Sequence, residues 1–139
     1  MITITYSLIE DIKSLGITLG RCFWLWKNHY IYHLSPFGLS HNLSLSEFAN
    51  NTLASLPPHI HDISPEPITV YLVHFGTYGS YQYPNTIILS LHQRPEKAAQ
   101  TLIHELAHLL TEKEVKLKML SHDEKEKLAE KREKIIQNN

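Results

Sequence analysis

One pentapeptide constrains this chain more than any other feature: His104-Glu105-Leu106-Ala107-His108 lies within a run of strong helix formers. Apolar residues recur at helical spacing through the run, at positions 98, 99, 102, 103, 106, 107, 109 and 110. This spacing predicts a helix that is buried over much of its circumference. Polar side chains inside such a helix need partners, because burying them unpaired costs free energy. The pentapeptide therefore predicts a helix built around a bound group.

The two histidines have the spacing of metal ligands. Residues i and i+4 lie on one face of a helix, so His104 and His108 can both reach a single ion. Glu105 follows the first histidine and is placed to take a proton from a metal-bound water. Because neutral imidazoles suit zinc, we expect a Zn²⁺ site with Glu105 as its catalytic residue. The alternative is an amphipathic helix whose histidines face solvent.

A catalytic zinc usually has three protein ligands and one open position. The metzincin pattern would need Gly at position 111 and His at position 114, but the chain has Thr111 and Glu114, which excludes that pattern. A carboxylate on the following helix is the natural alternative, and we expect Glu126 to be the third ligand. Glu130, one turn later, is expected either to orient His104 or to be the ligand itself. His122 is a further candidate for the ligand.

Composition excludes several classes of partner. Thirteen Lys and Arg against fourteen Asp and Glu leave a net charge of -1, so we expect no nucleic-acid partner, which would need a basic face. No apolar run approaches the roughly 20 residues that span a bilayer. Glu10 and Asp11 lie where a signal peptide would be apolar. With one cysteine and so no internal disulfide, the chain is expected to be cytoplasmic and without a membrane partner.

The first half of the chain predicts a mixture of helix and strand. A weak helical spacing covers Tyr6–Leu15, and Cys22–Leu34 alternates large apolar residues with others, as one or two strands would. Ser44 is placed to cap a short helix. A proline-rich irregular connection follows. We expect a single domain in which residues 1–67 form an accessory α/β segment and residues 68–139 the metal-binding core.

The second half predicts strands followed by helices. Ile68–Phe75 and Thr86–Leu91 are predicted strands that together form a β-hairpin. A helix is expected to begin at Pro95, and an irregular piece, Lys113–Leu120, to separate it from a capped, charged helix over 122–137. This order predicts an α+β fold, in which an antiparallel hairpin or sheet packs on the metal-binding helix and the C-terminal helix carries a ligand.

The segment TLIHELAHLL, preceded by TIILSL and followed by EKLAE, resembles the gluzincin zinc metallopeptidases. In size the chain is most similar to the compact minigluzincins and to small proteases of the phage-repressor type. The resemblance covers about residues 68–137. It implies a zincin-like domain with Glu126 as third ligand and the strand Thr86–Leu91 as the upper rim of the cleft. The usual spacing of the family would place the third ligand at Leu128, so the chain departs from it there.

The expected function is the metal-dependent hydrolysis of peptide bonds. Glu105 would act as general base toward a water activated by zinc. A peptide or protein substrate would pair with the strand Thr86–Leu91. Three tyrosines on the preceding turn could reach over the cleft to stabilise the oxyanion: Tyr78, Tyr81 and Tyr83.

A second function class is open. The same fold could serve as a non-catalytic or autoinhibited module that regulates or binds another protein, because a fold does not determine an activity. A cluster of large aromatic residues, Phe23, Trp24 and Trp26, also suggests possible self-association. Zinc content, together with the effect of Glu105→Gln on peptide cleavage, would discriminate the two classes.

Overall fold

The computed structural model describes residues 1–27, 43–64 and 66–138, without the side chains of residues 22–27. Over these ranges the chain forms four helices and a four-stranded sheet, which confirms the predicted α+β class, but the sheet is mixed and not antiparallel as expected. The elements are β1 (Ile2–Tyr6), α1 (Leu8–Lys27), α2 (Leu45–Ala54), a 3-10 helix (Pro58–Asp62), β2 (Ile68–Val73), β3 (Gly79–Gln82), β4 (Thr86–Ser90), α3 (Pro95–Lys118) and α4 (His122–Asn138).

The sheet has the strand order β1-β2-β4-β3. β1, β2 and β4 are parallel neighbours, and β3 is antiparallel to β4. The predicted hairpin between the strands at 68–75 and 86–91 is therefore wrong. Residues 76–84 were expected to be a turn but contain a strand of their own, so the chain reverses twice before β4. The almost fully buried β4 suits a central position, where continuous apolar runs are usual.

The first helix is longer than its pattern predicts. α1 continues to Lys27, so the strands expected over Cys22–Leu34 are wrong for residues 22–27, and the remainder lies outside the described residues. The Ser7 hydroxyl accepts a hydrogen bond from the Glu10 amide at the start of the helix, at 3.3 Å. Adding residues to an existing helix costs far less than starting one, which outweighs the β propensity of the aromatic residues. None of the described helices is long and apolar enough to cross a membrane.

Local signals place the other helices well. Ser44 and Glu47 form a capping box at α2, and the Ser121 hydroxyl accepts from the Glu124 amide at the start of α4. Pro95 is the first residue of α3, as expected. The prediction of an irregular piece from Lys113 is wrong, because α3 continues to Lys118.

Two ion pairs at helical spacing support this extension of α3. Lys116 lies 3.4 Å from Glu112, and Lys118 lies 2.6 Å from Glu114. Pairs at this i, i+4 spacing favour the helix. Met119, in the left-handed region with φ 50°, then ends it, and α4 begins at His122.

The core lies between the sheet and the three later helices. α3 packs against β3 and β4 and is flanked by α2 and α4. Its buried side chains come from all of these layers: Phe48, Val70, Leu72, Ile87, Leu89, Leu102, Leu106, Ala129 and Ile136. α1 packs against β2, and none of its described side chains joins this cluster. The core therefore fixes α3 and α4 relative to the sheet.

A buried carboxylate connects α1 to the end of β2. Asp11 accepts hydrogen bonds from the His74 backbone amide at 2.6 Å, the His74 ring Nδ1 at 2.8 Å and the Tyr6 hydroxyl at 2.8 Å. Burial alone would raise the pKa of Asp11, but the hydrogen bonds from His74 and Tyr6 outweigh it and hold that pKa below its usual value.

Candidate metal centre

Two imidazole nitrogens and a carboxylate converge where α3 faces α4. Nε2 of His104 lies 3.1 Å from Nε2 of His108, and Oε2 of Glu126 lies 3.5 Å from the latter. Ligand atoms of these three residues all lie within 4.8 Å of one another. Two nitrogens bound at about 2.0–2.1 Å to one tetrahedral zinc would be about 3.3 Å apart. This group could therefore bind a metal ion, and its donors suit zinc.

The packing of α4 explains why Glu126 is the carboxylate that lies beside His108. Ala129 and Ile136 are almost fully buried against the core and are seven residues apart, two helical turns. Glu126 and Glu133 precede them by three residues each, so both carboxylates lie beside this buried stripe and face α3. The antiparallel return of α4 then brings Glu126 to His108 and Glu133 to His104.

Glu133 makes the contact that was expected of Glu130. Its Oε2 lies 3.1 Å from Nδ1 of His104, which is the nitrogen not facing the other ligands. Such a contact fixes the tautomer and orientation of a ligating imidazole. Glu130 is exposed to solvent. His122, with its side chain 83% exposed, lies 3.9 Å from Oε1 of Glu126 and outside the converging group.

Glu105 lies at the edge of an open cleft of about 570 Å³. Burial raises the pKa of Glu105 above its usual value, and the nearby His104 opposes part of that rise. A carboxylate with a raised pKa is better suited to accept and then return a proton near neutral pH. Burial also lowers the pKa of His108, which favours the neutral imidazole that a metal requires.

The cleft lies beside the start of β3 and the first half of α3. It is lined by Thr77, Tyr78, Gly79, Lys97, Gln100, Thr101, His104, Glu105, Glu133 and Gln137. Gly79, which the sequence reasoning missed, lets the strand approach the helix. A Cβ at this position would lie 2.5 Å from Cγ2 of Thr101 and 3.0 Å from Cγ and Oε1 of Glu105. The sequence signal for this close approach was a glycine between tyrosines, since a glycine in a strand often marks a site where another part of the chain comes close.

The strand beside the cleft is not the expected one. Thr86–Leu91 was expected to form the rim, but β4 pairs with β2 on one side and β3 on the other, so it cannot receive a further strand. β3 is the edge strand, and in the described part of the chain it pairs with β4 alone. The strand-side rim of the cleft is therefore formed by Thr77, Tyr78 and Gly79, at the start of β3.

The three tyrosines of this region have different surroundings. Tyr78 is 60% exposed and lines the cleft. The Tyr81 ring stacks on His108, and its hydroxyl donates to Glu112 at 2.7 Å. Tyr83 lies under the ammonium group of Lys116, 4.7 Å from ring centroid to nitrogen. Of the three, Tyr78 alone lines the cleft beside Glu105.

Comparison with protein-family models, with curated proteins and with solved structures finds no match for this chain. The resemblance to the gluzincins therefore stays a prediction that rests on the motif.

Proposed function

We propose that this chain is a zinc-dependent metallopeptidase of the gluzincin type. In this proposal His104, His108 and Glu126 hold the metal and Glu105 is the general base. The observation that carries it is the convergence of the three donor atoms, together with a cleft that is lined by both His104 and Glu105. Two imidazoles and one carboxylate leave a position open for water, as catalytic zinc sites require.

The chemistry divides between the metal and the chain. His104, His108 and Glu126 would hold zinc, which would supply Lewis-acid polarisation of the scissile carbonyl and a nucleophilic water near neutral pH. Glu105 accepts the proton of that attacking water and then delivers it to the leaving amine. Its place next to His104 in α3 and its raised pKa both support this role. Glu133 keeps the His104 imidazole oriented during the reaction.

The outer edge of β3, which no strand covers in the described part of the chain, supports an extended peptide as the substrate. An added strand pairs through backbone hydrogen bonds and needs an edge with unpaired amides and carbonyls. β3 offers such an edge beside the cleft, and its side chains alternate between half-buried and exposed. Tyr78, on the same rim, is the candidate to donate a hydrogen bond to the oxyanion.

Glu105→Gln tests this proposal most directly. The amide keeps the size of the side chain but cannot accept the proton, so we expect cleavage to fall by about 10²–10⁴-fold with zinc content unchanged. Cleavage of a diverse peptide mixture is followed by mass spectrometry, and zinc by elemental analysis. Glu130→Gln, an exposed carboxylate on α4, is the matched control and should cleave like wild type.

Two results would contradict the proposal. If Glu105→Gln cleaved as fast as wild type, the general base would lie elsewhere. If wild type held one zinc per chain and cleaved no peptide in the mixture, the alternative of a non-catalytic metal-binding module would be favoured. Removing zinc with a chelator should abolish cleavage, and adding it back should restore cleavage.

A further inference from the structure

We propose that Tyr81 is a positioning residue that holds the imidazole of His108 in its ligand orientation by ring stacking. The proposal depends on the metal-binding part of the proposed function and not on peptidase activity. Tyr81 lies on the edge strand β3, whereas the candidate ligands lie on α3 and α4.

The two candidate ligand histidines are held in different ways. Nδ1 of His104 has the Glu133 carboxylate at 3.1 Å. Nδ1 of His108 is buried and has no hydrogen-bond partner among the described residues. A ligating imidazole is usually held by a hydrogen bond to its second nitrogen. His108 therefore needs another constraint on its ring, whose χ2 torsion is intrinsically soft.

Tyr81 supplies this constraint. Its ring is parallel to the His108 ring within 4°, with the centroids 5.6 Å apart, an offset stack of the kind that aromatic pairs prefer. His108 is 5% exposed, so the stacked face is closed to water. Turning the imidazole about χ2 would break the parallel arrangement and drive the ring edge toward Tyr81. The stack thus keeps Nε2 of His108 directed at His104 and Glu126.

Tyr81 is itself anchored to both ligand-bearing helices. Its hydroxyl donates a hydrogen bond to Oε2 of Glu112, one turn after His108 in α3, at 2.7 Å. The Lys125 ammonium, next to Glu126 in α4, lies 4.9 Å from the Tyr81 ring centroid and 3.9 Å from Oε2 of Glu112. The hydrogen bond to Glu112 on α3 and the contact with Lys125 on α4 therefore hold the Tyr81 ring in its stacked position on His108.

The test separates the ring from the hydroxyl. Tyr81→Leu keeps an apolar side chain but removes the stack, and we expect it to weaken zinc affinity by about 10–100-fold, the usual effect of losing a group that orients a ligand. Tyr81→Phe keeps the ring and should retain zinc affinity within about threefold of wild type, below the smallest loss expected for Tyr81→Leu. Zinc affinity is measured by competition with a chromophoric chelator. The visible spectrum of the Co²⁺ form reports the ligand geometry.

Tyr83→Leu is the matched control, because Tyr83 follows β3 directly but packs under Lys116. It should bind zinc like wild type. If Tyr81→Leu were to bind zinc as tightly as wild type with an unchanged Co²⁺ spectrum, the proposal would be overturned. Equal losses in Tyr81→Leu and Tyr83→Leu would also overturn it, since the effect would then be a general one of the strand edge.

The comparison stays informative if Tyr81→Leu fails to fold, which circular dichroism of the metal-free protein would reveal. Glu112→Gln leaves the ring in place and weakens its anchor, and we expect a smaller loss of zinc affinity with an altered Co²⁺ spectrum. An unchanged spectrum in Glu112→Gln would count against the anchoring. Because every readout is metal binding, a wild-type protein that binds zinc but cleaves nothing would refute the peptidase proposal and leave this one standing.

Discussion

At the scale of single residues, Glu133 is the side chain whose role is easiest to isolate. We expect Glu133→Ala to weaken zinc affinity by about 10–100-fold, because His104 loses the group that holds its Nδ1. Glu133→Gln should lose less, since its amide oxygen still accepts a hydrogen bond. Zinc titration measures both effects. Glu130→Ala is the control, and a loss there as large as in Glu133→Ala would favour the original expectation for Glu130.

How much of the site could be predicted depends on whether its geometry is local. His104 and His108 are related by the helix itself, so their spacing was sufficient to pair them. The prediction of Glu126 required a second helix that packs beside the two histidines. The charge pattern and the capping residues indicated such a helix. Glu130 and Glu133 could not be separated, because both lie close to Glu126 on a helical wheel. The burial of Ala129 and Ile136, a tertiary effect, decides between them.

At the scale of elements, the closest approach between strand and helix is at Gly79. We expect Gly79→Ala to lower the free energy of unfolding by about 1–3 kcal/mol, the usual cost of overpacking. Thr101, whose methyl group the new Cβ would meet, is β-branched and hydrogen-bonded to Gln93, so it cannot turn away freely. Urea unfolding followed by circular dichroism measures the change.

Gly16→Ala is the matched control for this substitution. A Cβ at Gly16 meets nothing within 4 Å, and the residue lies inside α1. There the same change should stabilise the protein by about 0.5–1 kcal/mol through helix propensity. If both variants were stabilised alike, the close approach of β3 to α3 would be disproved.

Helices and strands were predicted well where the signal lies within one turn of the chain, and poorly where the structure depends on pairing with a distant segment. The capping residues Ser44 and Ser121 and the helix-initiating Pro95 act within one turn, and each marks a helix start in the structure. β2 and β4 are parallel because β3 lies between them in the sequence and reverses the chain direction. β3 is only four residues long and half exposed, so its hydrophobic pattern was too weak to predict a strand. Residues 22–27 are helical because they extend the preceding turns of α1. Their own aromatic sequence, considered without those turns, indicated a strand.

At the scale of the whole molecule, stability should depend on the charge of Asp11. This carboxylate connects α1, β1 and the end of β2 through three hydrogen bonds, and its pKa is lowered in the folded protein. A lowered folded pKa stabilises the fold above the unfolded pKa of about 3.9, and that contribution is lost as the pH falls through the folded value. We expect Asp11→Asn to lower stability by about 1–3 kcal/mol at pH 7.

The difference between wild type and Asp11→Asn should begin to shrink below about pH 4, where the unfolded wild type takes up its proton, and should shrink further as the pH falls through the lower folded pKa. Urea unfolding of both proteins at pH 7 and in the acid range measures it. Glu114→Gln, which removes an exposed carboxylate paired with Lys118, should change stability little at either pH. A difference between wild type and Asp11→Asn that stayed constant into acid would show that the Asp11 charge is not the cause.

The buried stripe of α4 sets the register of the candidate metal centre. The turn before α4 does not, because Met119, at its start, is 91% exposed and an exposed turn tolerates insertions. One residue inserted inside α4 between Glu126 and Ala129 would rotate Glu126 by about 100° relative to the buried Ala129 and carry it away from His108, with every candidate ligand still present in the sequence. In evolution, a chain of this architecture could therefore lose such a site through a one-residue change in helix length, and a search for the ligands alone would not detect the loss.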